Sequence, residues 1–428
     1  PYANAALLLR PFALLCQLSA FIALPLTLAH ANPESPNLAQ LRGNWANPPQ
    51  SYQNQTRWWW PGNALTPQDI TFQLEQMAEQ GLGGVEIMTT KSMYEKGNHA
   101  YLSPGYFDLA RHAVAEAKRL GMTVSFTFGP GWSFGGSWVE PEDQSRALVA
   151  GEVDLQGGTL FEGKLPAPDP SASLRRSRHL SPEDQGSIVA VVAAQLQDGK
   201  LDPTSLTQLP LPDLPGGANY RWQVPSGKWR LMAFHLVRTG QRCQAQSESP
   251  PAMVIDHLNP DAVRRYCDYL GSRYEEELGD EFSTTITDFF CDSFEIYAPR
   301  RGVLWSHDTL ARFQAFAGYD ISMFLPCLWY DLGPLSKRVR YDLGVFMQDL
   351  TLKSLYAPFN EWCESRGLKA RIQPHYRFMP ELVQAAGAAG SAETEFSTVN
   401  FSTVPDPRKA AASGVRFSVK NRLAPAKL

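Results

Sequence analysis

The sequence predicts an α/β protein with a (β/α)8 barrel of the TIM type, incomplete at its C-terminus and carrying an inserted β-sandwich module. Short apolar strands alternate with amphipathic helices up to residue 150. This alternation stops between residues 151 and 250 and resumes at Met253. We therefore place the first part of the barrel at 40–150, the inserted module at 151–250 and the second part of the barrel at 251–412.

The first barrel part shows strand and helix signals in order. The tryptophans at 58–60 form a strand that ends at Pro61-Gly62, and a helix starts at Thr66 with proline in its first turn. Glycines follow this helix and lead into the strand VEIM, which contains Glu86. A second helix, at 104–120, precedes the strand TVSFTF and the turn GPGWSFGGSW.

The inserted module has the pattern of an all-β unit. Its segments GEVDLQGGTL, SIVAVVAAQL, YRWQVPSG and KWRLMAFHLV alternate between apolar and polar residues and are separated by Gly, Pro and Asp. The alternative is an extended loop system of the barrel. A loop of this length without its own core would be exceptional, so we favour a β-sandwich.

The second barrel part brings the chain to about six strand and helix units. A strand and an Asn-Pro helix start lie in VIDHLNPDAVRRY, and the buried strand TDFFC follows. Helices at 309–316 and 341–367 lead to the strands KARIQPHY and SAETEF. A complete barrel needs two more units.

Charge and cysteine content exclude several functions. The chain has 428 residues, 43% of them apolar, and a formal charge of −4. A nucleic acid or an anionic membrane surface is therefore not expected as a partner, and a neutral or small ligand fits better. Five cysteines follow Cys16 without CxxC spacing, which predicts buried thiols rather than a zinc site.

The first 31 residues have the form of a signal peptide. Arg10 precedes an apolar run at 12–28, and Ala29-His30-Ala31 has the small-x-small form of a signal peptidase site. A transmembrane anchor is the alternative, but the run is shorter than the roughly 20 residues that span a bilayer. We expect a periplasmic or extracellular protein that begins near Asn32 and has no membrane partner after cleavage.

The last residues lose the βα rhythm. Residues 413–428 are basic, and no Asp or Glu occurs after Asp406. This tail is typical of a frameshift or a premature stop. We expect the last barrel units to be absent, which exposes sheet edges and reduces stability.

Seven stretches, taken together and in order, resemble the α-L-rhamnosidases of glycoside hydrolase family 106. They are RWWWPGN at 57–63, GGVEI at 83–87, FTFGPGWSFGGSWV at 126–139, DHLNPDAVRRY at 256–266, FFCDSFEIY at 289–297, QPHY at 373–376 and AETEF at 392–396. The resemblance extends from about residue 40 to residue 412. It implies a catalytic barrel, inversion of the anomeric centre and a calcium ion that helps to hold the hydroxyls of rhamnose. A rhamnose-containing oligosaccharide or glycoside is then the expected partner.

Two acids follow the buried strand of the FFCDSFEIY stretch, where barrel enzymes keep their chemistry. An inverting glycosidase needs one protonated carboxyl to supply the leaving oxygen with a proton and a second, ionised carboxylate to activate water. Glu295 suits the proton donor, because aromatic neighbours create apolar surroundings that favour the protonated form. Asp292 would orient a substrate hydroxyl or support Glu295. The alternative is that the pair lies in a solvated loop.

A metal site is predicted at the last strand. Glu393 and Glu395 are two residues apart, so their side chains point to one face, and carboxylates that share a face suit calcium. The alternative is a salt bridge from one of them to Arg371 or Arg377.

Aromatic and histidine side chains are predicted to line the sugar pocket. His375 and Tyr376 follow a strand end and would contact sugar hydroxyls. Alternation sends Trp60 to one side of its strand and Trp59 to the other, and we expect a sugar to stack on the face that includes Trp60. Trp132 is expected at the pocket rim. The alternative for these tryptophans is a place in the core.

Three functions remain open at this point. The first is an exported α-L-rhamnosidase in which the second catalytic carboxylate lies downstream of the last barrel strand. The second is a truncated, inactive remnant that at most binds rhamnosides. The third is a barrel hydrolase that acts on another sugar.

Overall fold

The computed structural model describes residues 38–46, 48–168, 186–213, 217–247, 251–299, 301–374 and 381–393. The predicted signal peptide, the predicted tail, His375, Tyr376 and Glu395 lie outside these ranges. The chain divides into two compact units, residues 1–48 and residues 49–428. Helix α1 (Leu38–Ala46) belongs to the first unit, and all elements below belong to the second.

Six parallel strands form the central sheet. In sheet order they are β1 (Gln55–Pro61), β2 (Gly84–Thr90), β3 (Thr123–Thr127), β13 (Ile286–Cys291), β15 (Lys369–Ile372) and β16 (Ser391–Ala392). Each neighbouring pair is parallel, and the spatial order follows the chain order. This agrees with the predicted α/β architecture. The ranges that the structure describes contain six strands of this sheet and do not complete an eight-stranded barrel.

Helices connect and cover these strands. They are α2 (Pro67–Glu79), α3 (Pro104–Arg119), α4 (Pro260–Leu278), α5 (Thr309–Ala317), α6 (Pro326–Trp329), α7 (Pro334–Thr351), α8 (Ala357–Glu364) and α9 (Leu382–Ala388). The predicted helix at 341–367 begins earlier, at Pro334, and a π-helical turn at Leu352–Tyr356 joins α7 to α8.

Local signals explain where the helices begin. The Thr66 hydroxyl accepts a hydrogen bond from the Asp69 amide at 3.2 Å, and the Asp69 carboxylate accepts one from the Thr66 amide at 2.9 Å. This reciprocal capping box satisfies backbone donors that the first turn of α2 leaves unpaired. Ser103 and Asn259 cap α3 and α4, each followed by proline. These starts were predictable because the groups that make them are adjacent in sequence.

The packing of α8 against α4 depends on a glycine. A β-carbon at Gly271 would lie 2.0 Å from the Trp362 ring. Only glycine therefore lets the tryptophan approach α4 this closely.

The two faces of the parallel sheet differ in character. The outward face presents apolar side chains to the helices, for example Trp60, Ile87 and Phe126, all in the main core. The inward face carries polar and charged side chains, among them Arg57, Glu86 and Ser125, which occupy matching register positions on β1, β2 and β3. The inward face therefore holds the residues from which a site can be built.

The sheet is strongly curved. In a flat sheet, β1 and β16 would stand about 24 Å apart, since five spacings of about 4.8 Å separate them. Arg57 on β1 nevertheless lies 3.5 Å from Glu393, the residue after β16, measured from Nη2 to Oε1. The six strands therefore wrap around the inward side chains.

The β-rich module is built from antiparallel strands. They are β5 (Arg146–Gln156), β6 (Leu160–Gly163), β7 (Ser187–Gln197), β8 (Lys200–Leu201), β9 (Thr207–Leu209), β10 (Tyr220–Gln223) and β11 (Lys228–Arg238). β5, β11, β7 and β8 lie side by side, and β6 pairs with β10 in a separate ribbon. A small core that includes Leu165, Val191 and Leu231 covers one face of the larger sheet.

The module is joined closely to the parallel sheet and its helices. Its other face, including Val192, Met232 and Phe234, packs into the main core. Strand β14 (Gly302–Leu304), which follows β13 in the chain, pairs with β5. A short ribbon of β4 (Gly135–Gly136) and β12 (Met253–Val254) joins the segment before the module to the segment after it. The structure thus places these strands in the same compact unit as the parallel sheet.

Within the described residues, no helix combines the length and the hydrophobicity required to cross a bilayer.

Candidate active site

Six charged residues meet on the concave face of the sheet. We call them the inner cluster: Arg57, Glu86, Asp288, Asp292, Arg371 and Glu393. They come from β1, β2, β13 and β15 and from the residues that directly follow β13 and β16. Formally the cluster carries two positive and four negative charges.

Arg371 is the central cation of the inner cluster. Its guanidinium donates to Asp288 Oδ1 at 2.8 Å and to Glu86 Oε2 at 2.7 Å. It also donates to the Ser125 hydroxyl at 2.7 Å and to the Glu393 carboxylate. Burial opposes its charge, but the three surrounding carboxylates raise the pKa of Arg371 well above the usual value. The side chain is therefore a permanent, buried cation that ties four strands together.

Arg57 is the second cation and reaches toward the strand ends. Its guanidinium lies 3.1 Å from Glu86 Oε1 and 3.6 Å from Asp292 Oδ2. Burial lowers the pKa of Arg57, and the nearby Glu86, Asp292 and Glu393 carboxylates more than offset this, so that the pKa is raised. Arg57 thereby connects the base of the cluster to the loop that carries Asp292.

Phe290 contacts both guanidinium groups. The guanidinium carbons of Arg57 and Arg371 each lie 4.6 Å from the centroid of its ring. Because an aromatic face attracts cations, this ring favours the presence of both guanidinium charges in the cluster.

Glu295 lies beyond the cluster, in the loop at 292–299 that follows β13. Its carboxylate accepts hydrogen bonds from the Tyr297 hydroxyl at 3.0 Å, the Ser293 hydroxyl at 3.3 Å and the Gln244 amide. The residue is half-buried. The immediate contacts are polar, in contrast to the apolar surroundings that the sequence suggested, because Phe289 and Phe294 pack into the main core.

Asp292 links Glu295 to the inner cluster. Its Oδ1 accepts the Ser293 amide at 2.7 Å, and its Oδ2 faces Arg57. Asp292 and Glu295 are therefore in the same hydrogen-bonded loop, as their sequence spacing suggested.

The strand of three tryptophans is oriented as alternation requires. Trp58 is 4% exposed and Trp60 is 0% exposed, whereas Trp59 is 46% exposed. Trp60 packs against Trp58 and Tyr106 in the core, so its ring has no open face on which a sugar can stack. Trp59 is the ring on this strand that can contact a ligand, and we replace Trp60 with Trp59 as the proposed sugar contact.

Trp132 lies beside Trp59. The two ring centroids are 6.0 Å apart in an edge-to-face arrangement, and Trp132 is partly exposed. The Trp132 backbone pairs with that of Gln244, whose side chain contacts Glu295. This places Trp132 next to the proposed proton donor, consistent with a position at the rim.

The described part of the predicted calcium site does not fit a metal ligand set. Glu393 Oε1 accepts the Gln373 amide at 3.1 Å, and Oε2 accepts Arg371. Both oxygens therefore face hydrogen-bond donors, as in the salt-bridge alternative. The described residues contain no group of three or more His, Cys, Asp or Glu side chains that could hold a metal. Glu395 lies outside those residues, and calcium binding stays a prediction.

Several residues at the site were not singled out from sequence. Asp288 lies two residues before Phe290, and Arg57 lies two residues before Trp59, so each pair shares a face of its strand. A charged residue next to the aromatic residues of a strand was the available signal. Gln241 and Gln244 carry no such signal, because they come from the segment that leaves the β-rich module.

Buried polar residues support the loop from behind. The His257 ring packs against Phe294 with centroids 5.5 Å apart, and its Nδ1 bonds to the Ile255 carbonyl at 2.9 Å. Burial lowers the pKa of His257 to about 4. The neighbouring Asp256 accepts the Ser306 hydroxyl at 2.7 Å and the Leu258 amide at 3.0 Å.

Replacing Asp256 with Asn should stabilise the protein increasingly as the pH rises. Burial raises the pKa of Asp256 from 3.8 to about 7. Since the folded state holds this proton more tightly than the unfolded state, stability that is present below pH 3.8 is lost as the pH rises through about 7. The free energy of unfolding changes by about 4 kcal/mol over this pH range.

Urea unfolding of the natural protein and Asp256→Asn at pH 4.5 and pH 8 measures this difference. The exposed Asp261→Asn, in the first turn of α4, is the matched control and should show little change. A stability difference between Asp256→Asn and the natural protein that is the same at both pH values would contradict the expectation.

Comparison with known proteins gives three results. Residues 46–190 and 197–385 match glycoside hydrolase family 106, which is described as alpha-L-rhamnosidase. A protein of Formosa agariphila named "Putative beta-glucuronidase" is 24% identical over 364 residues, which are 80% of this chain and 31% of the relative. The structure of a rhamnosidase from Novosphingobium sp. PP1Y has a TM-score of 0.62 at 19% identity, covering 82% of this chain and 49% of that one.

These comparisons differ in what they cover. The structural similarity concerns the fold, because the identity is low. The chain spans about a third of the curated relative and about half of the solved rhamnosidase.

Proposed function

This chain belongs to glycoside hydrolase family 106, the alpha-L-rhamnosidase family, and we propose that its protein releases terminal α-L-rhamnose from glycosides with inversion at the anomeric carbon. The observation that carries the proposal is the position of Glu295. It is a half-buried acid in the loop that follows a central parallel strand, beside two indole rings and above a buried ionic cluster. Such a position is where barrel enzymes bind and cleave their substrates.

Glu295 is proposed as the proton donor to the glycosidic oxygen. The Tyr297, Ser293 and Gln244 side chains fix the orientation of its carboxyl group. A general acid needs such orientation, because proton transfer requires hydrogen-bond distance to the leaving oxygen. Trp59 and Trp132 would contact the sugar ring, and Asp292 would accept a hydrogen bond from a sugar hydroxyl.

The second carboxylate of an inverting mechanism must accept a proton from water, so a carboxylate that is already paired with a buried guanidinium is poorly suited to this role. Glu86 accepts Thr127 at 2.9 Å and Arg371 at 2.7 Å, one on each oxygen. Asp288 accepts Thr287 at 2.9 Å on one oxygen and Arg371 on the other. Because Glu393 is similarly engaged, we propose that the base is a carboxylate outside the described residues.

The charge of the inner cluster favours a neutral sugar over a uronic acid. Its four carboxylates exceed its two guanidinium groups, and each guanidinium is already ion-paired. A glucuronide would bring another carboxylate near this excess negative charge. Rhamnose has no carboxylate, so the cluster supports a rhamnoside rather than the substrate in the name of the Formosa relative.

Two further elements of the proposal come from sequence. Export to the periplasm or the medium follows from the signal-like segment at 1–31. Calcium assistance follows from the family resemblance and would involve carboxylates other than those held by Arg57 and Arg371.

A paired substrate assay tests the proposed function. We expect the full protein to release nitrophenol from nitrophenyl α-L-rhamnoside at least 100-fold faster than from nitrophenyl β-D-glucuronide, since repulsion of the uronate of about 3 kcal/mol corresponds to that ratio. Adding a chelator in a parallel reaction tests the calcium proposal separately. Faster hydrolysis of the glucuronide would contradict the assignment to rhamnosides.

A further inference from the structure

Gln241 lies where the chain leaves the β-rich module, three residues after β11. The residue is 6% exposed, and its side chain contacts the loop at 292–299 at two backbone positions. Its Nε2 donates to the Glu295 carbonyl at 2.7 Å, and its Oε1 accepts the Tyr297 amide at 2.8 Å. One carboxamide thus satisfies a backbone acceptor and a backbone donor on either side of Ile296.

The backbone of Gln241 is itself fixed on both sides. Its amide donates to the Thr239 hydroxyl at 3.2 Å, and its carbonyl accepts the Val254 amide at 3.0 Å. Further along, the Cys243 amide donates to the Ala252 carbonyl at 2.9 Å. A side chain on such a braced segment can hold the loop at a defined position, because its own movement is restricted.

The same segment also touches the carboxylate of the proton donor. Gln244, three residues after Gln241, donates to Glu295, and its backbone pairs with Trp132. The segment 241–244 therefore contacts both the backbone and the side chain of Glu295.

We propose that Gln241 is a positioning residue that sets the placement of Glu295 for proton transfer, so that the β-rich module contributes to the geometry of the active site. This inference rests on the proposed function. Gln241 touches neither the sugar nor the transferred proton in this role. It acts through the two backbone groups that flank Ile296.

Misplacement of Glu295 should affect substrates differently, according to their leaving groups. Only a substrate with a poor leaving group needs a proton from Glu295, whereas an activated aryl group leaves without one. Displacement of Glu295 should therefore slow hydrolysis of an alkyl rhamnoside more than that of a dinitrophenyl rhamnoside. A general loss of folded protein would reduce both rates by the same factor.

The variant Gln241→Met tests this, because methionine has a similar length and has no amide. We expect kcat/KM for methyl α-L-rhamnoside to fall about 10-fold to 100-fold, the range that misplacement of a catalytic group by up to about 1 Å produces. For dinitrophenyl α-L-rhamnoside the change should be less than about threefold. Gln348→Met is the matched control, because Gln348 is 3% exposed in α7 and its amide bonds to the Glu381 carbonyl. It should change the two rates equally or leave both unchanged.

Hydrogen exchange provides a readout that does not need activity. The Tyr297 amide should exchange about 10-fold faster in Gln241→Met, since it loses its acceptor, and should be unaffected in Gln348→Met. If Gln241→Met does not fold, Gln241→Asn serves in its place, because the shorter side chain cannot span both backbone groups.

The proposal would be overturned if the Tyr297 amide of Gln241→Met exchanged at the same rate as in the unsubstituted protein. It would also be overturned if kcat/KM of this variant fell by the same factor for the methyl and the dinitrophenyl rhamnoside. If the unsubstituted protein hydrolyses neither rhamnoside, the proposed function fails. The exchange measurement would still decide whether Gln241 holds the loop.

Discussion

Glu295→Gln is expected to reduce hydrolysis of alkyl rhamnosides by about 10² to 10⁴ in rate, the usual contribution of a general acid. Glutamine preserves the shape of the side chain, and its amide oxygen can still accept from Tyr297 or Ser293, which lie 3.0 and 3.3 Å from the natural carboxylate. It has no acidic proton for the leaving oxygen. Dinitrophenyl rhamnoside should therefore be hydrolysed at a rate much closer to that of the natural protein.

Steady-state kinetics with both substrates on the full protein measures this contrast. Glu162→Gln is the matched control, because Glu162 is an exposed acid on β6 that pairs with Arg221 at 3.6 Å. It should leave both rates unchanged. Equal losses with the two substrates in Glu295→Gln would show that Glu295 acts in some way other than as a proton donor.

Arg371→Met is expected to destabilise the fold by about 3 to 5 kcal/mol, the cost of removing one partner from a buried ion pair. The substitution leaves Glu86, Asp288 and Glu393 without their shared cation, and the Arg371 side chain is only 10% exposed. Arg57 compensates only in part, because it already pairs with Glu86, Asp292 and Glu393 and would be one guanidinium among four carboxylates. Mutual repulsion of the carboxylates adds to the loss.

Urea unfolding at constant pH measures this loss. Arg264→Met is the matched control: Arg264 lies on α4 with its side chain 51% exposed and pairs with Asp261 at 3.2 Å. A surface pair of this kind contributes about 0 to 1 kcal/mol. Similar losses in Arg371→Met and Arg264→Met would contradict the assignment of Arg371 as the central cation.

Some features of the protein follow from residues that are adjacent in the chain. The cap at Thr66 and the strand before Asp292 were predicted because a helix start and a buried strand depend on neighbouring residues. The same holds for the opposite directions of Trp59 and Trp60, since alternation is a local property of strands. Local patterns did not indicate which of these two rings is exposed, because that depends on which face the helices cover.

By itself, the sequence determined the α/β order of the elements, the resemblance to a family and the loop that carries Asp292 and Glu295. Only the tertiary structure decided which charges meet. Glu393 pairs with Arg57 although the two are on opposite edges of the six-stranded sheet, and this contact requires the sheet to curve. Gln241 reaches Glu295 only because the β-rich module returns the chain to the loop after β13. Contacts of this kind depend on how distant elements pack, and no spacing in the sequence encodes that packing directly.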